Sequence, residues 1–316
     1  MRRGGTEEME GIQSKPRRRV LGVLAAAAAG TLMPGAGAAT GAMVERSISS
    51  TGEKLPAIGM GSWQSFDVAG DAAGRAAAQE VLRLFVESGG RLVDSSPMYG
   101  TSEAVLGDLA AELGVQAKLF WATKVWTSGR DAGIRQMEES LRLMRVKRMD
   151  LMQVHNLLDV GTHLATLREW KREGRIRYVG VTHYHEGAHD ELERVLRAER
   201  LDFVQLNFSL AEPEAESRLL PLAAERGVAV LANRPFGKGS MFSRVRGKPL
   251  PPWAAELGVQ SWAQYFLKWI VGHPAITCAI PATRNPKHLL DNMGALSGPL
   301  PDAALRRRMA AHYRSL

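Results

Sequence analysis

Cysteine is almost missing from this chain of 316 residues, with Cys278 the single example. That excludes an intramolecular disulfide framework and any cysteine-rich zinc site, while leaving the compartment open. Long hydrophobic runs are missing too. The longest apolar stretch, residues 20–33, is well short of the roughly 20 residues a bilayer-spanning helix needs, so no stable transmembrane anchor is expected. Clustered charge of one sign is the third absence. Of the net +8, residues 1–38 contribute +3, and the rest is scattered among acidic side chains. A nucleic-acid footprint wants basic residues gathered on one face, so nucleic acid is set aside; a phosphorylated small molecule fits better. What remains, 45% hydrophobic and 23% charged residues, is the composition of a soluble globular chain with a large core.

The N-terminus reads as an address. Arg17, Arg18 and Arg19 precede the alanine-rich run, and Pro34 and Ala36-Gly37-Ala38 close it, the layout of a secretory signal with cleavage expected after Ala38. Arg17-Arg18 followed by Val20-Leu21 is similar to a twin-arginine export signal, whose machinery carries proteins already folded. Residues 1–38 are therefore read as signal peptide and 39–316 as the mature domain, with a periplasmic or secreted location expected. The alternative is a cytoplasmic protein carrying a disordered leader.

Beyond Val44 the chain alternates regularly. Short apolar runs at 57–60, 92–93, 119–122, 151–154, 176–179, 203–206, 228–231 and 276–280 predict eight strands, with a hairpin around residues 50–53 ahead of them. Between the runs lie helical spacings: residues 77–86 up to Gly89-Gly90, then Ile134, Met137, Leu141 and Met144, then Leu164, Leu167 and Trp170 before Gly174. Strand followed by helix, eight times, means a parallel sheet, and this many units over one domain length predicts a single (β/α)8 TIM barrel. One long insertion, residues 234–252, is expected between the seventh strand and its helix.

Active sites of such barrels sit at the carboxyl ends of the strands. Asp94-Ser95-Ser96-Pro97-Met98-Tyr99-Gly100 follows the second run, Lys124 the third and His155 the fourth. A phenol with a pKa near 10 is a poor proton donor at neutral pH until a neighbouring cation lowers that pKa, and Lys124 is placed to be the cation. Asp94 is expected to hold Lys124 charged, and neutral His155 to donate a hydrogen bond to a developing oxyanion. Tyr99 is then a general acid. No side chain supplies a hydride, so a nicotinamide cofactor is inferred.

The segments Val93-Asp94-Ser95-Ser96-Pro97-Met98-Tyr99-Gly100-Thr101-Ser102-Glu103 with Leu106-Gly107, the Lys124 strand, and Asp150-Leu151-Met152-Gln153-Val154-His155 resemble the aldo-keto reductase family, and the likeness runs over residues 44–296. The resemblance implies an NADP(H)-dependent oxidoreductase in which Tyr99, Asp94, Lys124 and His155 form the catalytic tetrad and reduce a small-molecule aldehyde or ketone. It implies an extended NADP(H) across the barrel mouth, in keeping with the lack of a Gly-x-Gly-x-x-Gly after a strand. It assigns Gln205 to the nicotinamide carboxamide. Asn233, Arg234, Phe236, Gly237 and Lys238 fall in the pyrophosphate loop, and Ala282, Thr283, Arg284, His288, Asp291 and Asn292 in the segment for the adenosine 2'-phosphate and adenine.

Three positions depart from the family's habit: Thr182-His183 where Ser-Asn is common, Asn233 where an aromatic stacks on nicotinamide, and Ala282 where a lysine is frequent. Trp63 and Trp126 are expected to line the substrate pocket. The histidines His183, His185 and His189 lack a carboxylate or cysteine cluster, so no metal site is assigned. The rival reading is a sensor or partner subunit that holds nicotinamide nucleotide with negligible turnover, a choice sharpened by export because free NADPH is expected to be scarce outside the cytoplasm.

Overall fold

The computed structural model describes residues 43–316, so the reading of residues 1–38 as a signal lies outside the described residues. An antiparallel pair, β1 (Glu45–Ser47) and β2 (Lys54–Pro56), comes first. Eight parallel strands follow: β3 (Met60–Gly61), β4 (Leu92–Asp94), β5 (Phe120–Val125), β6 (Met149–His155), β7 (Ile176–Thr182), β8 (Phe203–Asn207), β9 (Ala229–Asn233) and β10 (Ile276–Ala279), each beside its neighbour in sequence. The first strand meets the last across a short seam. Gly59 N–H donates to the Ala279 carbonyl at 2.8 Å, Ala279 N–H to Ala57 at 2.9 Å, and Gly61 N–H to Pro281 at 3.0 Å. The expected strand at 57–60 is therefore split: residues 57–59 serve the seam, and regular pairing with β4 begins at Met60.

Side chains alternate across a strand, and this parity decides what the barrel encloses. Leu92, Phe120, Ala122, Leu151, Tyr178, Phe203, Ala229, Leu231, Cys278 and Ile280 form one buried apolar cluster, distinct from the larger one beneath the helices. Ile48 and Leu55 of the hairpin join it and stop the barrel floor, where Tyr178 Oη lies 2.8 Å from both Thr51 Oγ1 and Glu53 Oε2. Two residues further along the same parity, the apolar layer gives way to Asp94, Lys124, Gln153, Gln205 and Asn233, and on β7 Thr182 follows after Gly180. A polar storey stands directly on an apolar one.

The outer ring begins with α1 (Ala72–Glu87), α2 (Ser102–Glu112), α3 (Arg130–Leu143), α4 (Val160–Arg172), α5 (His189–Ala198) and α6 (Leu219–Glu225). It continues through α7 (Ser240–Arg244), α8 (Trp262–Val271) and α9 (Pro286–Gly294) to the terminal α10 (Ala303–Ser315). The expected helix at 77–86 starts five residues earlier because Asp71 caps it, accepting from Gly74 N–H at 2.9 Å. The expected insertion carries α7 between two 3-10 turns, Gly237–Gly239 and Pro252–Leu257. No helix among the described residues is long and apolar enough to cross a membrane.

Helix α2 packs on α3 through Gly107, where an added Cβ would stand 2.2 Å from the Leu143 carbonyl oxygen. Backbone atoms cannot yield as a side chain would. Gly107→Ala is expected to destabilise the barrel by about 1–3 kcal/mol through overpacking, despite alanine's better helix propensity, and a denaturant titration at pH 7 measures it.

Candidate active site

The polar storey converges on one carboxylate. Lys124 has no exposure, and its Nζ donates to Asp94 Oδ2 at 2.7 Å and to the Ser95 carbonyl at 2.6 Å. The other Asp94 oxygen accepts from Gln205 Nε2 at 3.0 Å and Gln153 Nε2 at 3.2 Å. Gln205 Oε1 accepts in turn from Thr182 Oγ1 at 3.1 Å. Strands β4 to β8 are thereby laced together by side chains above the apolar floor. Lys124 and His155 lie within strands β5 and β6, not past their ends, because those strands run on into the polar storey.

Tyr99 rides the turn that leaves β4. Pro97 presets its second residue, and Tyr99 N–H donates to the Ser96 carbonyl at 2.9 Å. Its ring centroid is 5.1 Å from Lys124 Nζ and 6.0 Å from the His155 ring, met edge-on. The structure thus brings Tyr99, Asp94, Lys124 and His155 to one point.

Electrostatics there depart from the expectation in one respect. Burial pushes the Tyr99 phenol above its ordinary value and Asp94 adds to this, while the opposing pull of Lys124 does not offset it. The expected lowering by the cation is reversed because desolvation of the phenolate is the larger effect. Lys124 itself is pulled down by burial but held above its ordinary value by Asp94 and Tyr99, so it stays a cation. Burial, the Lys124 charge and His183 together drive His155 down to about 2, so its ring is neutral.

Above these residues opens a cavity of about 950 Å³. Its lining includes Trp63, Met98, Trp126 and Phe242, apolar side chains each between 37% and 41% exposed, together with Asn233, Arg234, Phe236, Lys238, Ala282, Thr283 and Arg284. Trp126 lies 6.2 Å from the His155 ring, and Lys238 Nζ sits 5.4 Å above Trp63. Arg234, Gly237, Lys238 and Gly239 all have positive φ, which curls the loop after β9 back over the mouth. For Arg234 and Lys238 that is a backbone region side chains disfavour, and such strain gathers at functional loops.

Several expected cofactor residues are committed elsewhere. Arg234 is paired with Glu212 at 2.8 Å and donates to the Tyr184 carbonyl at 2.9 Å, so its charge is already balanced. His183 stacks on Tyr184 at 5.2 Å, takes the Tyr184 N–H on Nδ1, and does not line the cavity; its carbonyl instead accepts from Asn233 Nδ2 at 3.1 Å. Gly237 is buried beneath its loop. Asp291 accepts from Gln264 Nε2 at 2.8 Å and ties α9 to α8, Asn292 is buried, and His288 Nε2 lies 3.5 Å from Nδ2 of Asn285, the residue that caps α9; none of the three lines the cavity. At the start of α9 the Lys287 N–H is already taken by Asn285 Oδ1 at 2.9 Å. Among the described residues Lys238 and Arg284 form no ion pair, which leaves them as the uncommitted cations of the cavity. Neither a histidine cluster nor any other group of His, Cys, Asp or Glu there could hold a metal ion.

A sequence model of the aldo/keto reductase family matches residues 57–311. The chain belongs to that family. Among curated relatives, methylglyoxal reductase YeaE of Escherichia coli is 27% identical over 271 residues, covering 83% of this chain and 93% of that protein. Aldo-keto reductase YhdN of Bacillus subtilis is 26% identical over 200 residues, 58% of this chain and 60% of its own. The fold is shared with an aldo/keto reductase from Klebsiella pneumoniae crystallised with NADP and acetate, at a TM-score of 0.68 and 23% identity over 83% of this chain and 93% of the other. The family match extends past residue 296, the end of the resemblance read from the motifs, and α10 packs back on the ring there: Arg306 is buried and pairs with Glu216 at 2.5 Å.

Sequence reading overlooked three contributors to the site. Gln153 is legible from parity, two residues before His155 on the same strand. Tyr184 stands in an irregular segment and Phe242 in the short helix α7, where no periodicity is long enough to point at a cavity.

Proposed function

We propose that this aldo/keto reductase reduces uncharged aldehydes or ketones with NADPH, using Tyr99 as the proton donor. The observation that carries the reading is a fully buried lysine, locked to Asp94, beneath a phenol that faces an open cavity. NADP(H), when bound, supplies the hydride. The residues fit it: a cavity of about 950 Å³, two uncommitted cations in Lys238 and Arg284, and in Asn233 Oδ1 a buried acceptor on the cavity wall without a partner. Thr283 and Arg284 would hold the 2'-phosphate, and Lys238 the pyrophosphate.

The chain's own residues handle the proton. Tyr99 keeps its phenolic hydrogen throughout the neutral range because burial raises its pKa, and gives it up when the carbonyl oxygen takes on negative charge. Lys124 stabilises the phenolate left behind, and Asp94 holds Lys124 in place. His155, neutral, is the second hydrogen-bonding group at the carbonyl oxygen. Trp63, Met98, Trp126 and Phe242 give the cavity a large apolar lining, which favours apolar and aromatic carbonyl substrates. Intact proton machinery favours turnover over the sensor reading.

Tyr99→Phe is expected to keep the fold by circular dichroism and to lower kcat/KM for NADPH-dependent reduction by about 10²–10⁴. In the unaltered chain the reduction rate is expected to be level through the neutral range and to fall only on the alkaline side. Tyr99, with its pKa raised, loses its proton only there, and His155 contributes no acid limb since it stays neutral down to about 2. A wild type that binds NADPH yet shows no turnover on a panel of aldehydes would favour the sensor.

Arg284→Ala is expected to weaken NADPH binding about 10-fold in a fluorescence titration, the loss of roughly one charge-assisted contact, while NADH affinity stays within about two-fold. Equal losses for both nucleotides would remove Arg284 from the 2'-phosphate site. Export rests on residues 1–38 alone. Cell fractionation is expected to find the mature chain outside the cytoplasm, and the double change Arg17→Lys, Arg18→Lys to retain it inside.

A further inference from the structure

Ser96 belongs to neither the tetrad nor the cavity wall, yet two of its groups make three contacts with parts of the site. It has no exposure. Its carbonyl takes the Tyr99 N–H at 2.9 Å, its Oγ takes the Met98 N–H at 3.4 Å, and the same Oγ lies 3.0 Å from His155 Nδ1. One serine therefore spans the turn that carries the phenol and the ring opposite it.

Hydrogen counting decides the direction of the last bond. An amide N–H can only donate, so Ser96 Oγ is an acceptor toward Met98, and its single hydroxyl hydrogen still needs a partner. Among the described residues His155 Nδ1 is the one acceptor within reach of it. If Nδ1 carried a hydrogen, the Ser96 hydroxyl would accept from both neighbours and leave its own hydrogen buried without a partner, which costs roughly 1–3 kcal/mol. With Nδ1 bare, every donor and acceptor is matched, and the ring hydrogen sits on Nε2. That nitrogen makes no hydrogen bond to the protein among the described residues, is not one of the buried unpartnered atoms, and belongs to a ring lining the cavity.

We infer that Ser96 is a positioning residue that fixes His155 as the Nε2–H tautomer, so that the ring presents a donor, never a lone pair, to the substrate's carbonyl oxygen. This rests on the reductase reading given above for what the donor meets, but the tautomer itself does not depend on turnover. Protonation cannot do the same task, because His155 remains neutral at any working pH. The choice between donor and acceptor at the carbonyl therefore falls to the tautomer, and the Met98 N–H to Ser96 Oγ–H to Nδ1 relay makes that choice.

The test is nitrogen-15 NMR of the histidine-labelled full chain, with the His155 signals assigned by their loss in His155→Gln. In the wild type Nε2 is expected to carry the proton and Nδ1 to be bare; in Ser96→Ala the signals move toward a mixture of tautomers, and in Ser96→Thr, which keeps the hydroxyl, the wild-type pattern returns. In parallel, kcat for carbonyl reduction is expected to fall about 10-fold in Ser96→Ala and to recover in Ser96→Thr, with NADPH affinity unchanged in both. A wild-type proton on Nδ1, or a Ser96→Ala spectrum identical to wild type, would overturn the inference. Absence of turnover in the wild type alongside the expected spectra would overturn the reductase reading and leave the tautomer assignment standing.

Discussion

The ion pair between Lys124 and Asp94 is the contact on which the rest of the site depends. Removing both charges from water costs several kcal/mol per ion in order of magnitude, and further hydrogen bonds around the pair offset part of that cost. The Ser95 carbonyl, just past β4, takes a second Lys124 hydrogen, and Gln153 of β6 and Gln205 of β8 donate to the other Asp94 oxygen. Gln205, read as a cofactor ligand from the resemblance, has both ends of its amide directed at Asp94 and Thr182, while Gln153 Oε1 and Asn233 Oδ1 are buried acceptors of this storey left without a partner.

Beneath it the apolar layer and the hairpin exclude water from below, so the low dielectric that makes the ion pair costly also makes it effective. A buried cation close to a phenol stabilises the anion left after proton transfer far more than it would in water. The same burial keeps the phenol protonated beforehand and His155 neutral. These are two consequences of one environment, and together they favour donation of a hydrogen over its acceptance at the place where carbonyl oxygen would sit.

The cavity combines two kinds of lining: indole, thioether and phenyl groups, and the cations Lys238 and Arg284 on the two segments that follow β9 and β10. Arg234 shows why a basic residue in the right segment is not yet an anion ligand: Glu212 has already balanced it. The loop that holds Lys238 bends through left-handed backbone at four positions, so its path is set by local strain and packing, not by regular structure.

The barrel itself was legible in the sequence. Eight apolar runs alternating with helical spacing leave few alternatives, since a parallel strand must cross back through a helix and the chain length suits closure. The parity of each run also placed Asp94, Lys124 and His155 near one another, because period-two alternation continues whether the residues are apolar or charged. What the sequence did not decide was everything that depends on which neighbour stands across a gap. Capping by Asp71 lengthened the first helix, pairing with Glu212 withdrew Arg234, and a bond to Gln264 withdrew Asp291. Burial outweighed the Lys124 charge at Tyr99, reversing the direction read from the residues alone. Local periodicity is written along the chain and fixes which elements form; desolvation and hydrogen-bond matching act through space and arise only once distant strands have been brought within a few ångströms.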